Sequence, residues 1–162
     1  MSLPKTTLFL LALPACDGKG DDSTGDPGNN LPAGCDVDIC SKYVTAMPTV
    51  VREIVEQASS DPQFEDDFAP LVAKGKEAVG AFEQSLANYL GNLYGCPDAP
   101  EYDGPTMEKA HAGMAITQQE YDDFVALVAG VLGDNGVPNE TINTCFAPPL
   151  QDASLAAKIV GQ

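Results

Sequence analysis

His111 is the only histidine among the 162 residues of this chain, and imidazole is the side chain most suited to acid, base or metal-ligand roles near neutral pH. A His-rich zinc site, a two-histidine metalloprotease helix and a diiron bundle each need more than one imidazole. The composition therefore excludes these three kinds of site. Any chemistry in this protein that needs an imidazole must use His111.

Met107 lies four residues before His111, so the two side chains share one face if the segment is helical. A neutral imidazole beside a thioether can ligate a metal through one ring nitrogen. Nothing nearby supplies three further ligands of the zinc type, whereas an iron held by a porphyrin needs only one protein ligand. From spacing alone a structural histidine, hydrogen-bonded or solvent-exposed, is the commoner outcome, and both interpretations stay open at this point.

The elements that would position His111 are predicted to be helices. From Cys35 onward apolar residues recur at steps of three and four, and no strand-like alternation or hairpin turn competes with this helical spacing. The three clearest apolar stripes are Val50, Val51, Ile54, Val55 and Ala58; Val79, Phe82, Leu86, Tyr89 or Leu90, and Leu93; and Tyr121, Phe124, Val125, Val128, Val131 and Leu132. The predicted fold class is therefore all-α.

Caps and prolines predict where these helices begin and end. Pro48 suits the first turn of the first helix, and Thr117 with Glu120 forms a capping box before the third. The remaining boundary signals are Pro70 before the second helix, Pro138 and the pair Pro148–Pro149 around a fourth, and Asp152 before a short last one.

Charge and size limit the partners of the chain. Asp and Glu number 24 against 8 Lys and Arg, and the formal net charge is −16. Nucleic acid is excluded as a partner because phosphate binding is driven by Lys and Arg. The length allows one ordinary domain, and a hydrophobic fraction of 44% suffices to build its core.

Residues 1–15 are predicted to be a signal peptide. Lys5 supplies a short positive region, and the apolar run that follows is too short to span a bilayer as a helix. The run ends in Leu13-Pro14-Ala15-Cys16, which resembles a bacterial lipobox, so Cys16 is the expected lipid anchor. An ordinary secretory signal is the alternative. Both predict a protein outside the cytoplasm, and the lipobox predicts a membrane-anchored lipoprotein, periplasmic or on the outer surface.

Residues 16–34 are predicted to form a flexible acidic tether between that cysteine and a domain that spans residues 35–162. The tether is rich in Gly, Asp, Asn and Pro, a composition that buries no apolar surface. Its aspartates do not form a calcium loop, because the regular acidic spacing and the closing Glu are absent.

The pattern Tyr102-x-Gly104-x-x-Met107-x-x-x-His111-x-Gly113-x-x-Ile116-Thr117 resembles the group I truncated haemoglobins. The resemblance continues to Gly136-Val137-Pro138 and includes Asp61-Pro62 followed by Phe68. It covers about residues 40–150 and is most specific over residues 86–142. This resemblance implies a truncated globin fold, a two-on-two sandwich of helices around haem b.

The resemblance also implies roles for individual residues. His111 becomes the proximal ligand of the haem iron, and Phe68 packs on the haem near its distal side. The residues implied on the distal helix are Phe82, Leu86, Tyr89 and Leu90. Those implied in the proximal and deep pocket are Met107, Tyr121, Phe124, Val128 and Phe146. The cations available to the haem propionates are Lys74, Lys76 and Lys109.

Departures from the family pattern affect the distal side of the iron. Val55 stands where the family usually has a tyrosine that hydrogen-bonds oxygen, Leu86 stands where a glutamine often lies, and Phe82 occupies the gate position. Such a wall offers bound oxygen no hydrogen bond, at a cost of roughly 1–3 kcal/mol, and favours fast oxygen release or ligands such as CO and NO. The alignment crosses an insertion here, and a slip of one turn would make Tyr89 the nearest donor.

Four cysteines remain besides Cys16, namely Cys35, Cys40, Cys96 and Cys145. An even number in an exported domain predicts two disulfides, with three possible connectivities. The family geometry implied by the resemblance favours bridges from Cys35 and Cys40 to Cys96 and Cys145, with Cys35–Cys40 plus Cys96–Cys145 as the alternative. Cys145 lies in an apolar stripe, so simple burial of its thiol is a further alternative.

Together with the anchor, the resemblance implies a membrane-tethered, haem-binding globin whose partners are diatomic gases such as oxygen, NO and CO. Turnover of NO or peroxide stays open, and it would require a reductase partner that the sequence does not identify. The alternative is a helical lipoprotein that keeps the globin scaffold, has lost haem and serves as a binding or structural module. The apolar distal wall keeps this alternative open.

Overall fold

A computed structural model describes residues 31–162. The predicted signal peptide, the predicted anchor Cys16 and tether residues 16–30 lie outside the described residues. Over residues 31–162 the chain forms helices and no strand, so the prediction of an all-α fold is confirmed. The elements are α1 (Ile39–Tyr43), α2 (Met47–Ala58), α3 (Glu65–Val72), α4 (Lys76–Leu93), α5 (Met107–Ala110), α6 (Gln118–Asp134), α7 (Asn139–Thr141), a π-helical segment (Ile142–Phe146), α8 (Ala147–Leu150) and α9 (Ala153–Ala156).

Two pairs of helices form the body of the fold. α2 packs against both α4 and α6, and α6 packs against the continuous helix of residues 139–150 that α7, the π-helical segment and α8 build. α2 buries the stripe that its sequence spacing predicts, because these residues fall on one helical face: Val50, Val51, Ile54, Val55 and Ala58. The result is the two-on-two arrangement of helices. No helix within residues 31–162 is both long and apolar enough to cross a membrane.

The core consists of a larger and a smaller apolar cluster. The larger cluster joins α2 to the end of α4, to α6 and to the 139–150 helix, and Val51, Val131 and Cys145 are fully buried in it. The smaller cluster joins the first half of α6 to α9 through Tyr121 and Leu155. Met107 and Ile116, on either side of His111, pack against this smaller cluster.

The capping box before α6 is confirmed. The Thr117 hydroxyl accepts a hydrogen bond from the Glu120 backbone N–H at 3.2 Å, and the Glu120 carboxylate accepts one from the Thr117 N–H at 2.7 Å. Asp152 caps α9 by accepting hydrogen bonds from the backbone N–H groups of Ser154 and Leu155. Both caps satisfy backbone donors that the first helical turn leaves without partners.

Two proline boundaries differ from the prediction. Pro70 lies inside α3 and does not begin α4, which starts at Lys76 after Gly75 adopts a positive φ of 90°. The pair Pro148–Pro149 lies within α8 and does not end the helix. The preceding segment widens to a π-helix, in which the Ala147 N–H donates to the Ile142 carbonyl, and the two prolines follow directly after this widening.

The four described cysteines lie in two close pairs. Cys35 and Cys145 have Cα atoms 4.9 Å apart, and Cys40 and Cys96 have Cα atoms 5.3 Å apart, both within the range that a disulfide requires. The pairs join the chain before α1 to the π-helical segment, and α1 to the loop that follows α4. This arrangement corresponds to the pairing that the family resemblance favours.

Gly91 is required where α4 meets the loop that follows it. A Cβ at Gly91 would lie 2.5 Å from the Ala99 Cβ, whereas a Cβ at Gly80 in the same helix meets no atom within 4 Å. We expect Gly91→Ala to lower the free energy of unfolding by about 1–3 kcal/mol through overpacking. The matched control Gly80→Ala should raise it by roughly 0.5–1 kcal/mol, because glycine is a poor helix former. Urea unfolding of both variants measures the difference, and equal stabilities would contradict the packing described here.

Candidate functional site

His111 follows α5 directly, and its ring is fixed by one hydrogen bond. Nδ1 lies 2.8 Å from the Met107 carbonyl oxygen. A carbonyl oxygen can only accept, so Nδ1 carries the proton in this contact and a neutral ring keeps a free lone pair on Nε2. Within residues 31–162, Nε2 makes no hydrogen bond. The half-buried ring therefore presents one nitrogen as a potential metal ligand.

The loop before α5 is fixed to α4 by polar and aromatic contacts. The Asn92 amide donates to the Pro100 carbonyl at 2.7 Å, and the Tyr102 hydroxyl donates to the Pro105 carbonyl at 2.8 Å. The Tyr102 ring packs edge-on against Tyr89 of α4 with centroids 5.2 Å apart. A four-residue helix such as α5 is not stable alone. These contacts therefore position α5 and, with it, the backbone of His111.

The structure brings three of the predicted pocket phenylalanines together. The Phe68 ring of α3 lies 6.2 Å from the Phe82 ring of α4 and 6.5 Å from the Phe124 ring of α6, measured between centroids. The sequence reasoning did not include Phe64, whose buried ring meets Phe124 edge-on at 5.8 Å. Its only sequence signal is its spacing of four residues from Phe68, which places both on one face of a turn.

Helices α3 and α4 carry apolar surface that the described chain does not cover. α3 buries none of its residues, and α4 buries only Leu90 and Gly91 although its apolar stripe runs from Val79 to Leu93. Phe82 is 37% exposed and Val72 is 50% exposed. Exposed aromatic and aliphatic side chains of this kind are commoner at binding surfaces than elsewhere on a protein.

The other predicted pocket residues divide between the two core clusters. Met107 and Tyr121 pack in the smaller cluster close to His111, and Tyr89 contacts both clusters. Leu90, Val128 and Phe146 belong to the larger cluster, against which Leu86 packs. The Phe146 ring meets the Tyr43 and Tyr94 rings edge-on at 5.5 and 5.4 Å, so these tyrosines are its aromatic neighbours.

The predicted distal residues supply no hydrogen-bond donor from their side chains. Val55 is buried in α2, while Leu86 is half-buried and Phe82 exposed on α4. The nearest polar candidate, Tyr89, is half-buried on α4 with its ring against Tyr102. Burial, and secondarily the neighbouring Tyr102, raises the pKa of Tyr89, so its hydroxyl keeps its proton and remains a donor.

Asp67 is a charged neighbour of the site that sequence reasoning missed. Burial raises the pKa of its carboxyl, the carboxylates of Glu120 and Asp66 raise it further, and His111 acts in the opposite direction. Asp67 therefore lies close enough to His111 for the histidine to act on the pKa of the Asp67 carboxyl. No motif identified it beforehand, because the proximity arises only when α3 folds against the start of α6.

The three lysines predicted to pair with the haem propionates are surface residues. Lys74 lies between α3 and α4, Lys76 begins α4, and Lys109 belongs to α5, and all three side chains are exposed. Ion pairs at such exposed positions contribute about 0–1 kcal/mol each. Within residues 31–162, no three His, Cys, Asp or Glu side chains converge as a metal site, so a metal here would have to bring most of its own ligands.

The fold corresponds to that of truncated haemoglobins. The truncated hemoglobin from Tetrahymena pyriformis in its Fe(III) form is 21% identical over 73% of this chain and 92% of its own, with a TM-score of 0.59. Two variants of that protein, a glutamine-to-glutamate and a tyrosine-to-phenylalanine mutant, each superpose with a TM-score of 0.62 at 21% identity and the same coverage. Neither the family models nor the curated proteins give a match. The chain therefore has a truncated globin fold.

Tyr121, in the smaller core cluster, should make the stability of the protein depend on pH in the alkaline range. Its hydroxyl donates to the Leu150 carbonyl, and burial, with the neighbouring Tyr89 and Asp122, raises its pKa to about 12. The folded state thus holds a proton that the unfolded state releases near pH 10, so stability should fall as the pH rises from about 10 to 12. We expect Tyr121→Phe to flatten this fall in urea titrations across that range. A variant with the wild-type slope would contradict the assignment.

Proposed function

We propose that this protein binds haem b and uses Nε2 of His111 as the proximal iron ligand. The observation that carries the proposal is the hydrogen bond from Nδ1 to the Met107 carbonyl, which orients the ring and leaves Nε2 free. Ligating histidines in metalloproteins usually donate their second ring N–H in this way, because it fixes both tautomer and orientation. The truncated globin fold and the uncovered apolar face of α3 and α4 support the proposal.

The chain would hold the haem mainly by apolar contact. Phe68, Phe82 and Phe124, whose rings lie together, would pack against the macrocycle. Met107 would contact it on the side of His111, and burial of the macrocycle would complete a core that the chain leaves open. When bound, the haem supplies an iron with one coordination position for a diatomic gas. The protein's own part is to exclude water and to hold the imidazole of His111.

The residues predicted to form the distal wall decide which gas the iron would bind well. Val55, Leu86 and Phe82 offer oxygen no hydrogen bond. We therefore propose a gas-binding globin that releases oxygen quickly or binds CO and NO, ligands that depend less on a donor. Within the truncated globins we assign the chain to group I, on the pattern from Tyr102 to Thr117.

We propose that residues 1–15 act as an export signal and that the protein has a lipid-anchored location outside the cytoplasm. The support is the run that ends in Leu13-Pro14-Ala15-Cys16 and the acidic tether that follows it. A diacylated Cys16 would hold the globin domain at a membrane surface, since two acyl chains anchor a protein stably.

A second candidate keeps the fold without haem. The rings of Phe68 and Phe124 lie nearly parallel, 21° apart, with centroids 6.5 Å apart, so α3 already contacts α6 through aromatic surface. Together with the missing distal donors, this contact favours a helical lipoprotein that acts as a binding or structural module.

Haem titration separates the two candidates. We expect one equivalent of haem to give a Soret band in the wild-type protein, because Nε2 of His111 is available as a ligand. His111→Gly should lose or strongly shift the band, and added imidazole should restore it by entering the space left by the side chain. The control Asn143→Ala changes an exposed residue of the π-helical segment and should bind as the wild type does. An absent wild-type band, or one unchanged in His111→Gly, would defeat the haem proposal.

We further propose that the two cysteine pairs are disulfides, Cys35–Cys145 and Cys40–Cys96. Their sequence separations of 110 and 56 residues close long loops, and each such bridge contributes about 2–4 kcal/mol. An unreduced proteolytic digest should yield these two linked peptide pairs by mass spectrometry. A Cys35–Cys40 peptide, or four free thiols, would refute the pairing.

A further inference from the structure

Residues 152–162, which we call the strap segment, run from α9 back to the loop that follows His111. The segment begins at the Asp152 cap, passes through α9 and ends at Gln162. Its Leu155 and Ile159 side chains are 8% and 9% exposed and pack against Tyr121 of α6. Met107 and Ile116, which flank His111 in the chain, pack on the same cluster. The strap segment therefore shares an apolar cluster with the residues on either side of His111.

Two backbone hydrogen bonds join the strap segment to the loop after His111. The Ala115 N–H donates to the Gln162 carbonyl at 3.0 Å, and the Gly161 N–H donates to the Ile116 carbonyl at 2.9 Å. The Gln162 side-chain amide also donates to the Ala157 and Val160 carbonyls at 3.3 and 3.4 Å, which folds the end of the strap segment onto itself. Ala115, the first of these anchored positions, is the fourth residue after His111.

Ala115 is held in a backbone conformation that alanine rarely adopts. Its φ is 55°, and among residues 31–162 it is the one non-glycine residue with a positive φ. The left-handed region costs an L-residue of this kind about 1–2 kcal/mol, so it persists only where surrounding contacts impose it. The contacts at this point are the backbone bonds to the strap segment.

The His111 ring needs such a support because its own helix is only four residues long. The loop on its N-terminal side is fixed to α4 through Asn92 and Tyr102. Its C-terminal side passes through a turn, in which the Met114 N–H donates to the His111 carbonyl at 3.1 Å, and then reaches Ala115. Without the strap segment that side would have no backbone anchor before the capping box at Thr117.

We infer that the strap segment is a positioning element for the iron ligand: by pinning Ala115 and Ile116 it fixes the ring of His111. This inference rests on the proposed haem ligation. Ile159 and Gly161 act through His111 and touch no haem atom in this assignment. Removing a partner that orients a metal ligand typically costs 10–100-fold in affinity, so loss of the strap contacts should speed haem release by about that factor.

The test uses Ile159→Ala, which removes packing in the smaller cluster, and Gly161→Pro. The proline removes the N–H that bonds Ile116 and cannot adopt the φ of 73° found at Gly161, so it breaks the strap contact in both ways. The matched control is Ile142→Ala, which truncates a similarly buried isoleucine in the larger cluster, 4% exposed. Hydrogen exchange of the Ala115 amide, measured against the Val51 amide in haem-free protein, reports on the strap contact. The iron–histidine stretching band and the haem release rate report on His111 in the loaded ferrous protein.

We expect both strap variants to speed Ala115 exchange about tenfold or more relative to Val51. They should also shift or broaden the iron–histidine band and accelerate haem release. The control Ile142→Ala should lower overall stability but keep the relative Ala115 exchange rate, the iron–histidine band and the haem release rate at wild-type values. If Gly161→Pro fails to fold, Ile159→Ala decides the test. Wild-type values in Ile159→Ala, or equal changes in Ile142→Ala, would overturn the inference. A wild-type protein that takes up no haem would defeat the proposed function, while the exchange measurement would still show whether the strap segment restrains Ala115.

Discussion

The candidate site depends on the hydrogen bond between Nδ1 of His111 and the Met107 carbonyl oxygen. This contact decides which ring nitrogen carries the proton and where the other nitrogen points. Without it, His111 would be a half-buried polar side chain at the end of a one-turn helix. The contacts of the Tyr102 loop with α4, and those of the strap segment with Ala115 and Ile116, fix the backbone on either side of this bond.

The uneven burial of apolar surface among the helices also supports the proposed haem binding. α2 buries its whole apolar stripe, and α6 buries five residues of its own, as ordinary core helices do. α3 and the first half of α4 do not, although their sequences carry phenylalanine, leucine and valine. Since burial of apolar surface is the main driving force of folding, a bound macrocycle would supply the contacts that these two helices lack. Ligand binding of this kind would stabilise the folded protein by mass action.

The sequence predicts the helices well where local patterns decide them. The stripe from Val50 to Ala58 gives α2, and Thr117 with Glu120 gives the start of α6, because a helical face and a capping box are determined by neighbours in the chain. The prediction that Pro148 and Pro149 end the helix is wrong, because the π-helical segment before them cannot be recognised from residue types. Asp67 and the aromatic neighbours of Phe146 could not be predicted, since they depend on how distant helices meet. His111 could be singled out from the sequence because it is the only histidine of the chain.

Nitrogen-15 NMR of histidine-labelled protein tests the central claim most directly, because the single histidine gives one pair of ring nitrogens without assignment. The measurement is made on haem-free protein at about pH 8.5, where an imidazole is neutral. The account predicts that Nδ1 carries the proton and that Nε2 has the shift of an unprotonated ring nitrogen. A ring protonated on Nε2, or an averaged mixture of the two tautomers, would contradict it.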